Sequence, residues 1–184
     1  MLAPDRSPLA GLVEVDKTEI ACRSKNDPLT NGGGRSHEGT VLVVGAVEVV
    51  DRGAGSGRIR LGQVPDYSAT SPTRRPRPGA TAKADGWSGY PGAAGLIHDP
   101  HVVGKMAVHI VLPWVHRIFS NLKVWALGVY HSLRRKHLQS YLDKFVFRFN
   151  RRRTRHAAFR SLLGIAAAHQ PLTYNMLRSP EARA

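Results

Sequence analysis

The chain has 184 residues, 42% of them apolar, which is enough for one domain with a real core and argues against wholesale disorder. Its formal charge of +14 is unevenly spread: residues 1–100 carry 12 Lys/Arg against 11 Asp/Glu, while residues 101–184 carry 15 against 2, so the partner-binding face belongs to the second half. The longest apolar stretch, around 106–115, is broken by His109 and Pro113 and falls short of the roughly 20 residues of a spanning helix, and no apolar signal core opens the chain. In chain order, residues 1–10 are expected as a disordered leader and 12–20 as a first strand, whose β-type run 12–16 ends at Asp16. A Gly/Asn-rich loop at 26–34 leads to a second strand over 41–50. A turn at 53–57 then gives a third strand over 58–64, where Ile59 and Leu61 alternate with Arg60 and Gly62. Residues 80–85 read as a fourth strand and 101–104 as a short fifth. From Pro113 the period becomes helical: Leu138, Tyr141, Leu142, Phe145 and Phe149 form one apolar stripe, and a further helix is expected over 157–168. The domain is expected to run over 11–178, with 179–184 as a tail.

A basic field of this density attracts phosphate backbones through counterion release, and it favours nucleic acid over an anionic membrane because the cations are interleaved with bulky aromatics. The cationic candidates are Arg134, Arg135 and Lys136 before the apolar stripe and Arg151, Arg152 and Arg153 after it. With no membrane partner and a single cysteine, the expected location is cytoplasmic. Cys22 excludes an intrachain disulfide and reads as a small half-buried residue at a strand end.

Two carboxylates stand in strongly patterned contexts, Asp16 in V-E-V-D-K-T-E-I and Asp85 in A-D-G-W-S-G-Y, each at an expected strand end where loops open a site. Carboxylates brought together from distant strands are what a hard divalent cation needs. Taken alone, either aspartate reads more often as a turn or cap residue than as a metal ligand. Trp87 and Tyr90 suit stacking on a base or packing under a loop. His98 and His101 have metal-pair spacing without further ligands in sequence and read as a loop. Gly32 to Gly34 lack the following helix of a phosphate cradle.

Three antiparallel strands, further strands and then helices, with acidic residues on the first and fourth strands, form the layout of an α/β, ribonuclease-H-like fold with a mixed sheet of about five strands and C-terminal helices. From about residue 10 to 178 the chain resembles the catalytic domain of an insertion-sequence transposase of the DDE superfamily, ISXO-like branch. The likeness rests on V-E-V-D-K-T-E-I at 13–20, V-V-G-A-V-E at 43–48, A-D-G-W-S-G-Y at 84–90, H-V-V-G-K at 101–105, W-V-H-R-I-F-S-N-L-K at 114–123 and R-K-H-L-Q-S-Y-L-D-K-F-V-F-R-F-N-R-R at 135–152.

The resemblance implies metal-dependent DNA strand cleavage and transfer, with two Mg²⁺ or Mn²⁺ ions held by Asp16, Asp85 and a third residue that falls on His116. Lys123, two helical turns further on, matches the lysine that contacts DNA near the reacting phosphate. Transposon ends and target DNA are the implied partners, bound by a homo-oligomer. The chain departs from the family in two ways: prolines at 72, 76 and 78 exclude a regular helix in the 66–79 crossover, and Lys17 replaces an acidic residue; with a single cysteine and no zinc-ribbon motif it is expected to be a truncated copy. A non-catalytic remnant that still binds DNA and an unrelated basic nucleic-acid-binding protein are the alternatives.

Overall fold

The computed structural model describes residues 7–22, 39–50, 55–65, 80–85, 97–101, 111–130, 133–171 and 173–178; for 85, 97–101, 155, 177 and 178 this means the backbone alone. Strands β1 (Leu12–Ala21), β2 (Thr40–Val50), β3 (Gly55–Gln63), β4 (Thr81–Asp85) and β5 (Ile97–His101) form a mixed sheet in the order β3-β2-β1-β4-β5. The β1–β2 and β2–β3 pairs are antiparallel, and β1–β4 and β4–β5 are parallel. β1 therefore lies in the middle.

Alternation along the strands divides the core. Ile20, Val41, Val43, Val47, Ile59 and Leu61 face the helices, and Val13, Val15, Leu42, Val44, Ala46 and Ala82 form a second cluster on the opposite face with Leu9 and Val64. β2 is buried on both faces, which explains why its sequence is a continuous apolar run rather than an alternating one. On the helix side, β1 breaks the apolar pattern with Glu14, Asp16 and Thr18.

Helix α1 (Pro113–Val129) buries Val115, Ile118, Phe119, Leu122 and Ala126 against the sheet, one stripe at helical spacing. A 3₁₀ turn (Arg135–His137) leads into α2 (Leu138–Asn150), where Leu138, Leu142, Phe145 and Val146 complete the same core and Tyr141 and Phe149 pack at its margin. Each fully buried Leu, Ile or Phe of this kind contributes about 1.5–3 kcal/mol.

α2 runs along the edge strand β3 and occupies its outward backbone groups. Gln139 Oε1 accepts from the Gln63 N–H at 2.9 Å, and Asn150 both accepts from the Ile59 N–H at 2.8 Å and donates to the Ile59 carbonyl at 3.1 Å. Arg152 donates to the Ser56 and Gly57 carbonyls at 2.5 and 3.4 Å. A bare edge would offer a template to other strands; here side chains cover it. α3 (Arg155–Ala168) and α4 (Tyr174–Arg178) follow, with Phe159, Leu163 and Tyr174 exposed.

Several expectations need correction. Residues 7–10, assigned to the leader, are held in place. Leu9 is fully buried, the Glu48 carboxylate accepts from the Ala10 N–H at 2.9 Å, and Arg58 donates to the Ser7 and Pro8 carbonyls at 3.2 and 2.9 Å. The last strand is Ile97–His101 rather than 101–104, of which 102–104 lie outside the described residues. Its Pro100 disguised it, but an edge strand tolerates a missing N–H. β3 begins at Gly55, inside the expected turn, because Gly55 and Ser56 pair with Val50 and Val49 beyond an irregularity between Val47 and Val49. Cys22 is buried to 1% exposure rather than half-buried. The crossover at 66–79, Trp87, Tyr90 and Gly32 to Gly34 lie outside the described residues, as do the side chains of His98 and His101.

Candidate active site

Asp16 does not end its strand. It is the fifth residue of β1 and pairs with Gly45 of β2. On the β4 side, however, the ladder stops at Val15 and Ala84, so Asp16 and Asp85 are the next residues of two neighbouring parallel strands. Their backbones leave the ladder side by side, although the Asp85 side chain lies outside the described residues.

The third expected residue arrives on α1. His116 Nε2 stands 3.4 Å from Asp16 Oδ2, with the two side chains 34% and 13% exposed. The contact lacks hydrogen-bond geometry, and among the described residues the buried Nε2 has no hydrogen-bond partner. Phe119, one turn on, meets the imidazole edge-on at 6.5 Å between ring centres and packs into the sheet over Gly45.

Glu14, which sequence reasoning passed over, fixes the start of this helix. Its Oε2 accepts from the Trp114 N–H at 2.8 Å and from the Val115 N–H at 2.9 Å. Burial pushes its carboxyl above the ordinary carboxylate value, while the two backbone N–H groups, Lys83 and His116 pull the other way. Lys83 pairs with Glu14 across the β1–β4 ladder, so a cation stands beside the buried carboxylate. The signal for Glu14 was a charged residue between two core valines, two positions before Asp16. For Gly45 it was a glycine inside a β-branched strand, a mark of close approach by another element.

The cationic candidates occupy different places. Lys123 is exposed on α1, two turns after His116, about 10 Å along the axis. Arg134, Arg135 and Lys136 are exposed just before α2, where Arg135 donates to the Thr40 carbonyl at 3.0 Å. Arg151, Arg152 and Arg153 follow its other end. The Arg151 guanidinium lies 4.1 Å from the Phe147 ring centre and that of Arg152 lies 4.0 Å from Phe149. Arg153 is exposed, whereas Arg152 is committed to the carbonyls of β3 and to its own helix end.

The sheet is mixed, two acidic positions are neighbours on β1 and β4, and the helix that carries His116 packs on β1 and β2 with the imidazole beside Asp16. Residues 8–150 match the ISXO2-like transposase domain, and the chain belongs to that family. It is a transposase domain of the insertion-sequence kind, for which the family implies DNA as partner. The match ends at Asn150, the last residue of α2. No curated protein and no solved structure gives a match. Among the described residues no helix is long and apolar enough to cross a membrane.

Proposed function

We propose that the chain is a transposase catalytic domain of ribonuclease-H-like fold that cuts and rejoins DNA strands at a divalent-metal centre formed by Asp16, Asp85 and His116. The observation that carries this reading is the buried His116 Nε2, 3.4 Å from Asp16 Oδ2 and without a hydrogen-bond partner among the described residues. Buried polar atoms are nearly always satisfied, and an orphaned imidazole nitrogen beside a carboxylate fits a ligand whose partner is a cation. The strand order and the neighbouring backbones of Asp16 and Asp85 support the same reading.

Two carboxylates and one imidazole suit Mg²⁺ or Mn²⁺, with the nitrogen favouring the softer Mn²⁺. When bound, a pair of such ions supplies the charge stabilisation for an in-line displacement at phosphorus. The chain's own residues do the rest. Asp16 and His116 hold the site between sheet and helix, and the Phe119 ring shields its inner side. Lys123 receives the phosphate next to the reacting one, and Arg134, Arg135 and Lys136 hold the duplex at one end of α2. Arg151 and Arg153 hold it at the other end, on a turn that Arg152 fixes to β3. Transposon ends and target DNA are the substrates, brought together by a homo-oligomer.

The test is nicking of supercoiled plasmid by the purified chain with Mn²⁺ or Mg²⁺. Wild type should nick, faster with Mn²⁺, and Asp16→Ala, Asp85→Asn and His116→Ala should lose most of that activity. Binding without metal-dependent nicking, or equal nicking by wild type and Asp16→Ala, would reduce the chain to a DNA-binding remnant.

A further inference from the structure

Helix α1 begins without a cap of its own. Its N-cap residue is Leu112, which has no side-chain acceptor, Pro113 follows, and the first turn contains no acidic residue. The first turn of a helix leaves N–H groups with no partner inside the helix, and a buried helix start must satisfy them from elsewhere. The Trp114 and Val115 N–H groups are satisfied by one oxygen, Glu14 Oε2, at 2.8 and 2.9 Å. The next N–H belongs to His116 and makes a long 3.4 Å bond to the Leu112 carbonyl. His116 therefore follows directly on the two amides that Glu14 holds.

Glu14 and Asp16 are two residues apart on β1, on the same face, with Val13 and Val15 turned into the opposite core. The strand that presents the Asp16 carboxylate to His116 thus also grips the turn that carries His116. A negative group at a helix N-terminus is in addition favourable for the helix dipole.

We propose that Glu14 is the positioning residue for His116: by capping α1 from β1, it sets the place of the imidazole relative to Asp16. This inference rests on the reading of Asp16 and His116 as parts of one metal centre. Glu14 touches no substrate in this account and acts through the helix start alone. A neutral residue that keeps an acceptor oxygen at the same reach should therefore replace it, and one that shortens the reach should not.

The experiment compares the full chain with Glu14→Ala, Glu14→Gln, Glu14→Asp and Asp16→Ala at a temperature where circular dichroism shows each folded. Mn²⁺ affinity is read by calorimetry, amide hydrogen exchange by NMR, and plasmid nicking as separate kcat and KM. Glu14→Ala should deprotect the Trp114 and Val115 amides, weaken Mn²⁺ binding about tenfold or more, and lower kcat by a similar factor while the KM for DNA stays within about twofold. Glu14→Gln should recover most of both losses, and Glu14→Asp little of either. Should Glu14→Ala not fold, the contrast between Gln and Asp decides the same question. Glu14→Ala or Glu14→Asp with Mn²⁺ affinity and kcat within about twofold of wild type, alongside a weakened Asp16→Ala, would overturn the positioning role alone. Unchanged Mn²⁺ binding in Asp16→Ala would overturn the metal-centre reading and the positioning role with it.

Discussion

Phe119 packs into the space that Gly45 leaves by having no side chain: a Cβ at position 45 would lie 2.6 Å from Phe119 Cε1 and 2.8 Å from Cζ. Gly45 is also the residue paired with Asp16, so the ring that seats α1 on the sheet does so beside the candidate metal ligand. Gly45→Ala should therefore overpack the core and cost about 1–3 kcal/mol in urea unfolding. In a Phe119→Ala background the same substitution should cost markedly less, because only the 3.2 Å approach to Leu61 Cδ2 remains. Equal costs in the two backgrounds would show that the ring is not what requires glycine.

The second anchor is on the opposite face. Glu48 and Arg58 form a bidentate pair, Nη2–Oε1 at 2.6 Å and Nε–Oε2 at 2.9 Å, and the same carboxylate also accepts from the Arg58 and Ala10 N–H groups at 3.1 and 2.9 Å. Burial alone would raise the Glu48 carboxyl, but hydrogen bonds from Arg58 and the backbone outweigh it and leave the group below its ordinary value. A carboxyl lowered in the folded state contributes stability above its unfolded value and loses it as pH falls through the folded one. Denaturant midpoints should thus drop on acidification across that window, and Glu48→Gln should flatten the drop. Arg58→Ala leaves the Glu48 carboxylate only its backbone N–H partners, and because the guanidinium is partly exposed it should cost about 1–2 kcal/mol near neutral pH.

Cys22 is buried to 1% exposure, and burial pushes its thiol up to about 11, with Arg135 offsetting part of the effect. Thiolate is the reactive form, so alkylation at pH 8 should be slower than that of an ordinary cysteine by about a hundredfold, before access is counted. Denaturant should restore the ordinary rate. Rapid labelling of the folded chain would contradict the burial.

Arg152 and Arg153, neighbours after α2, should fall into two classes. Arg153→Ala should leave thermal stability unchanged and reduce the slope of log affinity for duplex DNA against log salt by about one. Arg152→Ala should instead destabilise the fold, since it frees the Ser56 and Gly57 carbonyls of the edge strand. Uniform behaviour of the pair, read by salt-titrated binding and melting in parallel, would contradict the assignment.

Much of this architecture was legible in the sequence because it depends on local periodicity. The β-branched run of β2, the alternation in β3 and the apolar stripe of α2 each state their own element. The motifs singled out Asp16 and His116, which lie 3.4 Å apart. What seats them was not legible. Glu14 acts on amides 100 residues away, and Gly45 on a ring from another layer, so neither function appears within any local window. β5 was misplaced because proline and aspartate argue against a strand unless it is known to lie at an edge. Arg152 read as one more surface cation because sequence does not show that its guanidinium is occupied by main-chain carbonyls.

The central claim is that Asp16, Asp85 and His116 bind one metal centre, and its most direct test is Mn²⁺ titration monitored by pulsed electron paramagnetic resonance. Wild type should bind Mn²⁺ and show nitrogen modulation from a coordinated imidazole. His116→Ala should lose that modulation, and Asp16→Ala and Asp85→Asn should lose most of the binding. Mn²⁺ bound with no nitrogen in its coordination sphere, or bound equally well by Asp16→Ala, would contradict the account.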